Sequence, residues 1–253
     1  PLSLVVPWIS INAAIVGFYL FYRGGWEGMK TRIWKVHLLR GILVFFPFLL
    51  GVFAIRHLPL GQFMALINLS PVVLTIFAAG WLGEKVGRRE TISLLLGFSG
   101  MLICIRPEFS YLSLLALAPF LYAVSVAFGS TLIRKYPEEP TLNWIFYQEM
   151  IEFLAGLLLW MVLDNEQPNR GELKAISLFV LIDIAAMTMN YHAFRHTKAS
   201  LLAPWFYIQI PAAALFGFLI FSEIPHWTTF ASAGLIVIGG IWNSWLPKGR
   251  FSG

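Results

Sequence analysis

Long apolar runs separated by short polar connections dominate the chain. A membrane-crossing helix needs about 20 predominantly apolar residues. On that scale nine spans are predicted, at roughly 2–22, 36–55, 61–82, 90–105, 112–133, 142–163, 175–194, 199–221 and 228–246. Most connections are short and contain glycine or proline, as expected of tight turns between helices. The pattern therefore predicts an all-α polytopic membrane protein.

Two stretches of the chain repeat each other at an offset of 139 residues, which is the distance from Ala54 to Ala193. The residues that recur are Ala54, Arg56, His57, Phe77, Glu84 and Gly100, as Ala193, Arg195, His196, Phe216, Glu223 and Gly239. Pro71 also recurs, as Pro211, with a slip of one residue. Internal repeats in membrane proteins are typical of transporters, whose substrate site lies between two similar halves.

The repeat also predicts how the spans divide. Subtracting the offset from the span at 142–163 gives the position of the first span. The span at 112–133 has no such counterpart in the first half. The first half therefore holds four helices and the second half five. We expect a ten-helix parent, with one helix on about 30 further N-terminal residues absent from this sequence. The nine-helix chain is then expected to transport poorly. The predicted division is a first repeat at 1–106, a second at 107–247 and a tail at 248–253.

The basic residues indicate the orientation. Of the 18 Lys and Arg residues, fourteen lie on one side, all in connections except Arg40, which lies just inside a span; the four on the other side are Arg56, Arg106, Arg170 and Lys174. The positive-inside rule makes the basic side cytoplasmic, the C-terminal tail included. Because the offset crosses five spans, an odd number, repeat mates are expected on opposite faces. That is an inverted repeat, which favours alternating access in an inner membrane.

Composition excludes several function classes. Hydrophobic residues make up 58% of the chain and charged residues 12%, at a mean hydropathy of +0.74, which fits a lipid bilayer as the surrounding phase. The net charge of +5 lies in the connections, so it indicates topology and no nucleic-acid partner. Cys104 is the single cysteine, and no metal-ligand spacing, P-loop, GxSxG, HExxH or CxxC motif occurs. No enzyme activity, cofactor or metal is expected.

Two long runs of sequence carry a family resemblance. The runs SPVVLTIFAAGWLGEKVGRRETISLLLGFSGMLI at 70–103 and IPAAALFGFLIFSEIPHWTTFASAGLIVIGGI at 210–241 follow AIRHLP and AFRHTKAS. Each run resembles the EamA-type signature of the drug/metabolite transporter superfamily, although Ser222 stands where glycine is more usual. The resemblance covers essentially the whole chain. It implies a secondary transporter, in a family whose members carry amino acids, nucleosides, vitamins, drugs or metallophores.

Three acidic residues fall well inside predicted spans, away from their ends. Glu149 and Glu152 are three apart on one helix face, with Gln148 alongside, and Asp183 lies near the middle of the 175–194 span. Desolvation and mutual repulsion favour proton uptake by one of two neighbouring carboxylates, so the pair could couple transport to protons or bind a cationic solute. Alternatively, the acids simply pair with a basic residue such as Arg40, and Asp183 caps a neighbouring helix.

Uncharged polar and aromatic residues complete the candidate site. Asn190 lies seven residues after Asp183 on the same stripe, whereas His192 is turned off it. The remaining candidates to line a solute cavity are Asn12, Asn68, Gln209, Tyr207 and Trp8. Interhelical hydrogen bonding or packing is an equally ordinary use for them.

The repeated motif residues are predicted to be structural. Glu84 and Glu223 each end a helix and could accept hydrogen bonds from the amides that begin the following helix. Pro71 and Pro211 would bend their helices, while Gly100 and Gly239, with Gly97 and Gly234, would allow close helix packing.

These observations predict a secondary transporter that exports a small organic solute, such as an amino acid or related metabolite, by alternating access. A proton gradient or the solute's own gradient would drive it. The alternatives are an importer or facilitator for a vitamin or nucleoside and, from a different class, a non-transporting membrane scaffold. The oligomeric state is not predicted.

Overall fold

The structure is a computed structural model that describes residues 2–106, 114–163, 169–222 and 224–244, and every regular element in those ranges is helical. The helices are α1 (Leu2–Gly28), α2 (Trp34–Ala54), α3 (Leu60–Ile67), α4 (Ser70–Gly80), α5 (Arg88–Ile105), α6 (Leu117–Lys135), α7 (Thr141–Leu163), α8 (Arg170–His196), α9 (Ala199–Leu202), α10 (Gln209–Phe221) and α11 (Trp227–Ser244). Two 3₁₀ segments, Leu114–Ala116 and Ala203–Ile208, precede α6 and α10.

The helices confirm the all-α polytopic fold. Within the described ranges, four segments are long and apolar enough to cross a membrane by length and composition alone. They are Trp34–Ala54, Leu60–Gly80, Leu114–Lys135 and Ala199–Ile220. The other long helices, such as α1 and α8, also occupy the places that the hydropathy pattern predicts for spans.

Two of the predicted spans are interrupted, which corrects their description as continuous helices. The span at 61–82 breaks at Asn68 and Leu69, and the span at 199–221 passes through the 3₁₀ segment Ala203–Ile208. Pro71 and Pro211 lie in the first turn of the helices that follow these breaks, where a proline costs no helical hydrogen bond. Hydropathy stays high across both breaks, so an apolar-run criterion cannot detect them.

The chain forms two compact units. Unit 1 comprises Pro1–Phe46 and Leu132–His196, and unit 2 comprises Pro47–Thr131 and Thr197–Gly253. Each unit therefore takes residues from both predicted repeats.

Unit 1 is built on close packing of α7 against α1, and α2 also approaches α7 closely at Gly41. A β-carbon added at Gly17 would lie 2.8 Å from the Phe146 ring, and one added at Gly41 would lie 2.7 Å from the Ile151 side chain. The absence of a side chain at these two glycines lets the helices approach closely, as in many membrane proteins. This approach brings the polar residues of α7 against those of α1 and α2.

Unit 2 is built on the packing of α5 against α11. A β-carbon added at Gly239 would lie 3.1 Å from the backbone oxygen of Ser93, and one added at Gly100 would lie 3.0 Å from the backbone oxygen of Ser232. Both glycines are therefore contact points, as the sequence suggests. Gly234, by contrast, has nothing within 4 Å of an added β-carbon, so its predicted packing role is wrong.

Glu84 stabilises a helix start, but a different one from that expected. Its carboxylate accepts hydrogen bonds from the amides of Ala199 and Ser200, at 3.2 and 3.1 Å, and from the Ser200 hydroxyl at 3.1 Å. These groups begin α9, whereas the sequence pointed to α5, which follows Glu84 directly. A carboxylate at a helix N-terminus satisfies free amides and complements the helix dipole. Glu223 lies outside the described residues.

Candidate functional site

Asp183 of α8 is held by two side chains of α1 in unit 1. The Trp8 indole N–H and the Asn12 amide both donate to its Oδ2, at 3.2 and 3.0 Å. Trp8 and Asn12 are four residues apart, so they present their donors from one helix face. Both partners are neutral, so this half-buried carboxylate is oriented but not neutralised by them.

Glu152 ends a chain of hydrogen bonds that starts at a buried arginine. Arg40 Nη2 donates to the Tyr191 hydroxyl at 2.7 Å, which in turn donates to Gln148 Oε1 at 2.8 Å. Gln148 Nε2 then donates to Glu152 Oε1 at 2.8 Å. Arg40 is only 4% exposed, and its guanidinium lies over the rings of Trp144 and Tyr191, 5.5 and 4.8 Å from their centroids. These hydrogen bonds and ring contacts hold the positively charged guanidinium of Arg40 in place.

Glu149 is the most enclosed of the three acids. Its side chain is 1% exposed, and neither carboxyl oxygen has a hydrogen-bond partner of normal geometry in the described part of the chain. Arg40, Glu152 and Asp183 are close enough to act on it electrostatically. Asn12, which is fully buried, likewise has an unpartnered Oδ1. Among the described residues, this set thus has three acceptor oxygens without a partner of normal geometry, although the Asn12 side chain lies close enough to act on Glu149.

The charges of this set, which we call the acid cluster (Trp8, Asn12, Arg40, Gln148, Glu149, Glu152, Asp183 and Tyr191), do not balance. Arg40 provides one positive charge against three carboxyl groups. The described residues contain no group of three His, Cys, Asp or Glu side chains that could hold a metal ion, so the carboxyl groups do not converge on one. An apolar span with excess negative charge favours protons or an organic cation as the compensating charge.

The other predicted polar residues meet in unit 2, where they satisfy one another. Gln209 Nε2 donates to Asn68 Oδ1 at 2.8 Å, and Asn68 Nδ2 donates to the Met64 carbonyl oxygen at 2.8 Å. The Tyr207 hydroxyl donates to the Asn68 carbonyl oxygen at 3.2 Å. The set bridges the two helix breaks, so its first effect is to tie together segments whose own backbone ladders are interrupted.

Asn190 and His192 stand apart from the acid cluster. Asn190 is half-buried and makes no side-chain hydrogen bond among the described residues, and His192 is exposed, with its ring 4.4 Å from that of His196. Asn190 and His192 lie close to Asp183 in the sequence, but the side chains that bind Asp183 are Trp8 and Asn12.

A second buried acid, Glu139, lies in the turn just before α7 and serves packing. Glu139 Oε1 lies 3.1 Å from His37 Nε2 and accepts from Asn143 Nδ2 at 3.1 Å. Asn143 and Tyr147 in turn donate to the carbonyl oxygens of Lys30 and Met29, at 3.2 and 2.6 Å. This network fastens the connection between α1 and α2 to α7.

Unit 2 contains an apolar groove of about 330 Å³ between α10 and α11. Its lining residues are Pro211, Ala214, Leu215, Phe218, Pro225, Thr229, Phe230 and Ala233. Apart from Thr229, they offer no polar side chain to orient a solute. A groove of this composition suits lipid chains better than a polar metabolite.

Three members of the acid cluster are absent from the predicted site. Arg40 and Gln148 had a signal in the sequence, because a charge inside an apolar span and an amide four residues before Glu152 both indicate partners. Tyr191 had none that separates it from the other aromatic residues. The sequence could not predict its contact with Arg40, since 151 positions separate the two.

Comparison with known proteins places these features in a family. The EamA-like transporter family matches residues 2–106 and again 110–245. The chain is 30% identical to the pseudopaline exporter of Pseudomonas aeruginosa, over 91% of its own length and 82% of the relative's. It is 27% identical to a riboflavin transporter of Vibrio cholerae (90% and 78% covered) and 25% identical to an S-adenosylmethionine uptake transporter of Rickettsia felis (87% and 74% covered).

A solved structure, described only as the crystal structure of a protein, shares the fold. It matches with a TM-score of 0.82 at 18% identity, over 96% of this chain and 86% of the other. The relatives are transporters and not enzymes, and the matches to the two halves account for the internal repeat. The chain belongs to the EamA-like transporter family.

Proposed function

We propose that this protein is a secondary transporter that exports a small organic solute bearing a positive charge, such as an amino acid or related metabolite, across the inner membrane. The excess of carboxyl groups in the acid cluster supports a cationic or zwitterionic solute. The repeat and the two interrupted helices support alternating access, because such breaks are where membrane helices bend.

Exchange against protons, or flow down the solute's own gradient, would drive transport. A carboxyl group without a partner in an apolar span is a site that a proton or a cation can neutralise. The one-sided distribution of Lys and Arg supports a cytoplasmic C-terminus.

Import is the second candidate, and the relatives favour it as directly as export. One relative is named an exporter and another an uptake transporter, so members of this family work in both directions. Identities of 25–30% leave the solute of this protein open to measurement.

The test is a transport assay with the protein expressed from its complete reading frame and reconstituted in liposomes. An imposed pH gradient and a pooled set of labelled amino acids and metabolites are applied to wild type, Glu152→Gln and Asp183→Asn. We expect wild type to move at least one positively charged or zwitterionic member, and one mutant to abolish its transport or uncouple it from the pH gradient.

Exposed Glu27 provides the matched control, since Glu27→Gln makes the same chemical change outside the acid cluster. Unchanged transport in both cluster mutants would contradict a role for these acids. A membrane scaffold would transport nothing and would tolerate the replacements without loss of function.

A further inference from the structure

The three carboxyl groups of the acid cluster differ in how deeply the protein buries them. Glu149 is 1% exposed, while Glu152 and Asp183 are half-buried. Burial therefore separates one inner acid, Glu149, from two outer ones, Glu152 and Asp183.

Hydrogen bonding separates them in the same way. Glu152 accepts a bond from Gln148, and Asp183 accepts two from Trp8 and Asn12, so each of these carboxyl groups has at least one hydrogen-bond donor. Neither oxygen of Glu149 has a donor with normal hydrogen-bond geometry; the Asn12 side chain lies close enough to act on Glu149, but its amide donates to Asp183. An ionised carboxylate without partners in a low-dielectric interior costs several kcal/mol, whereas the protonated acid avoids most of that cost. The unpartnered Asn12 Oδ1 adds a second acceptor in the same interior, which a carboxylic acid proton suits and a carboxylate does not.

We propose that Glu149 carries the exchanged proton, while Glu152 and Asp183 hold the positive charge of the solute. This division rests on the proposed function and assigns separate roles within that same site. The charged or titratable groups that act on Glu149 are Arg40 from α2, Glu152 on its own helix α7, and Asp183 and Tyr191 from α8. From α1, the neutral side chains of Trp8 and Asn12 contact the cluster.

Charge conservation links the two roles. When an ammonium group binds at Glu152 and Asp183, its positive charge favours release of the Glu149 proton to water. When the solute leaves, the carboxylate takes a proton back from water. One proton is thereby exchanged for one monovalent cation, and the cluster returns to its starting charge.

The direct test is infrared spectroscopy of the reconstituted protein near neutral pH, which needs no knowledge of the solute. A protonated carboxylic acid has a carbonyl stretching band that a carboxylate lacks. We expect this band in wild type, Glu152→Gln and Asp183→Asn, and its specific loss in Glu149→Gln. Absence of the band from wild type, or its loss in either outer mutant but not in Glu149→Gln, would overturn the proposal.

Transport provides the second test, with lysine, alanine and glutamate as labelled cationic, zwitterionic and anionic probes alongside the pooled solutes. Glu149→Gln should lose accumulation driven by the pH gradient but retain solute-for-solute exchange, because its outer acids are intact. Asp183→Asn should lose both. Retained pH-driven accumulation in Glu149→Gln refutes the division, as does loss of exchange in a variant that elutes as a folded protein.

The two proposals fail differently. A wild-type protein that moves no probe or pooled solute would contradict the proposed transport function, whatever the infrared result. A wild-type protein that exchanges solutes without any response to the pH gradient would leave transport standing and overturn the proton role of Glu149.

Discussion

Units 1 and 2 both bury polar side chains, but they treat them differently. Of the eight buried side-chain N and O atoms without a hydrogen-bond partner among the described residues, six belong to unit 1. Both oxygens of Glu149 are among the six, whereas Asn68 and Tyr207 of unit 2 have their partners. Buried polar groups without partners are costly and are retained mainly where they have a function. The contrast supports the proposed chemistry in unit 1, whereas the polar residues Asn68, Tyr207 and Gln209 of unit 2 satisfy one another.

Removing the charge of Arg40 is expected to have the largest effect on stability. In Arg40→Met, three carboxyl groups lose their buried cation, and the free energy of unfolding should fall by about 3–5 kcal/mol. Thermal unfolding of the purified protein measures this.

Lys35→Met is the matched control for that change. Lys35 is on the same helix and its ammonium also lies over a tryptophan ring, 5.7 Å from the centroid of Trp34, but it is exposed. Its removal should cost less than about 1 kcal/mol. Equal losses in the two variants would contradict the idea that the acid cluster depends on the Arg40 charge.

A bulky residue at Gly239 should disrupt the packing of unit 2. Gly239→Leu pushes a side chain against the backbone oxygen of Ser93, which cannot move aside without shifting α5, so a cost of about 3 kcal/mol is expected. Gly234→Leu, on the same helix with open space around it, should be tolerated. Size-exclusion elution and unfolding temperature distinguish the two. Similar behaviour of both variants would show that the α5–α11 contact does not limit stability.

The smallest effect is expected from Gln209→Leu, which removes one neutral hydrogen bond and leaves Asn68 Oδ1 unpartnered. The free energy of unfolding should fall by about 1 kcal/mol, and transport should be unchanged. Gln148→Leu makes the same substitution in unit 1. It removes the link between Tyr191 and Glu152, so transport should change. A folded Gln209→Leu protein that cannot transport would place function in unit 2 as well.

The candidate residues show where sequence reasoning reaches its limit. Glu149 and Glu152 could be paired from their spacing, because helix geometry fixes which neighbours share a face. The partners of Asp183 could not, since Trp8 and Asn12 lie more than 170 positions away. For Asn68 and Gln209, a polar role was predictable from their positions inside apolar spans, but their mutual contact was not. Whether any of these residues binds solute or protons stays a prediction.

Some features were determined by the sequence itself: the helical class, the nine apolar segments and the family. Each depends on local composition or on a repeated pattern along the chain, and the physics of the bilayer allows few other structures for such a chain. Only the tertiary structure decided that Glu84 caps the start of α9 and that Gly234 has open space around it. It also decided that hydrogen bonds link Arg40 to Glu152 through Tyr191 and Gln148. These contacts join distant parts of the chain, and helix packing selects them from many polar pairs of equal chemical plausibility.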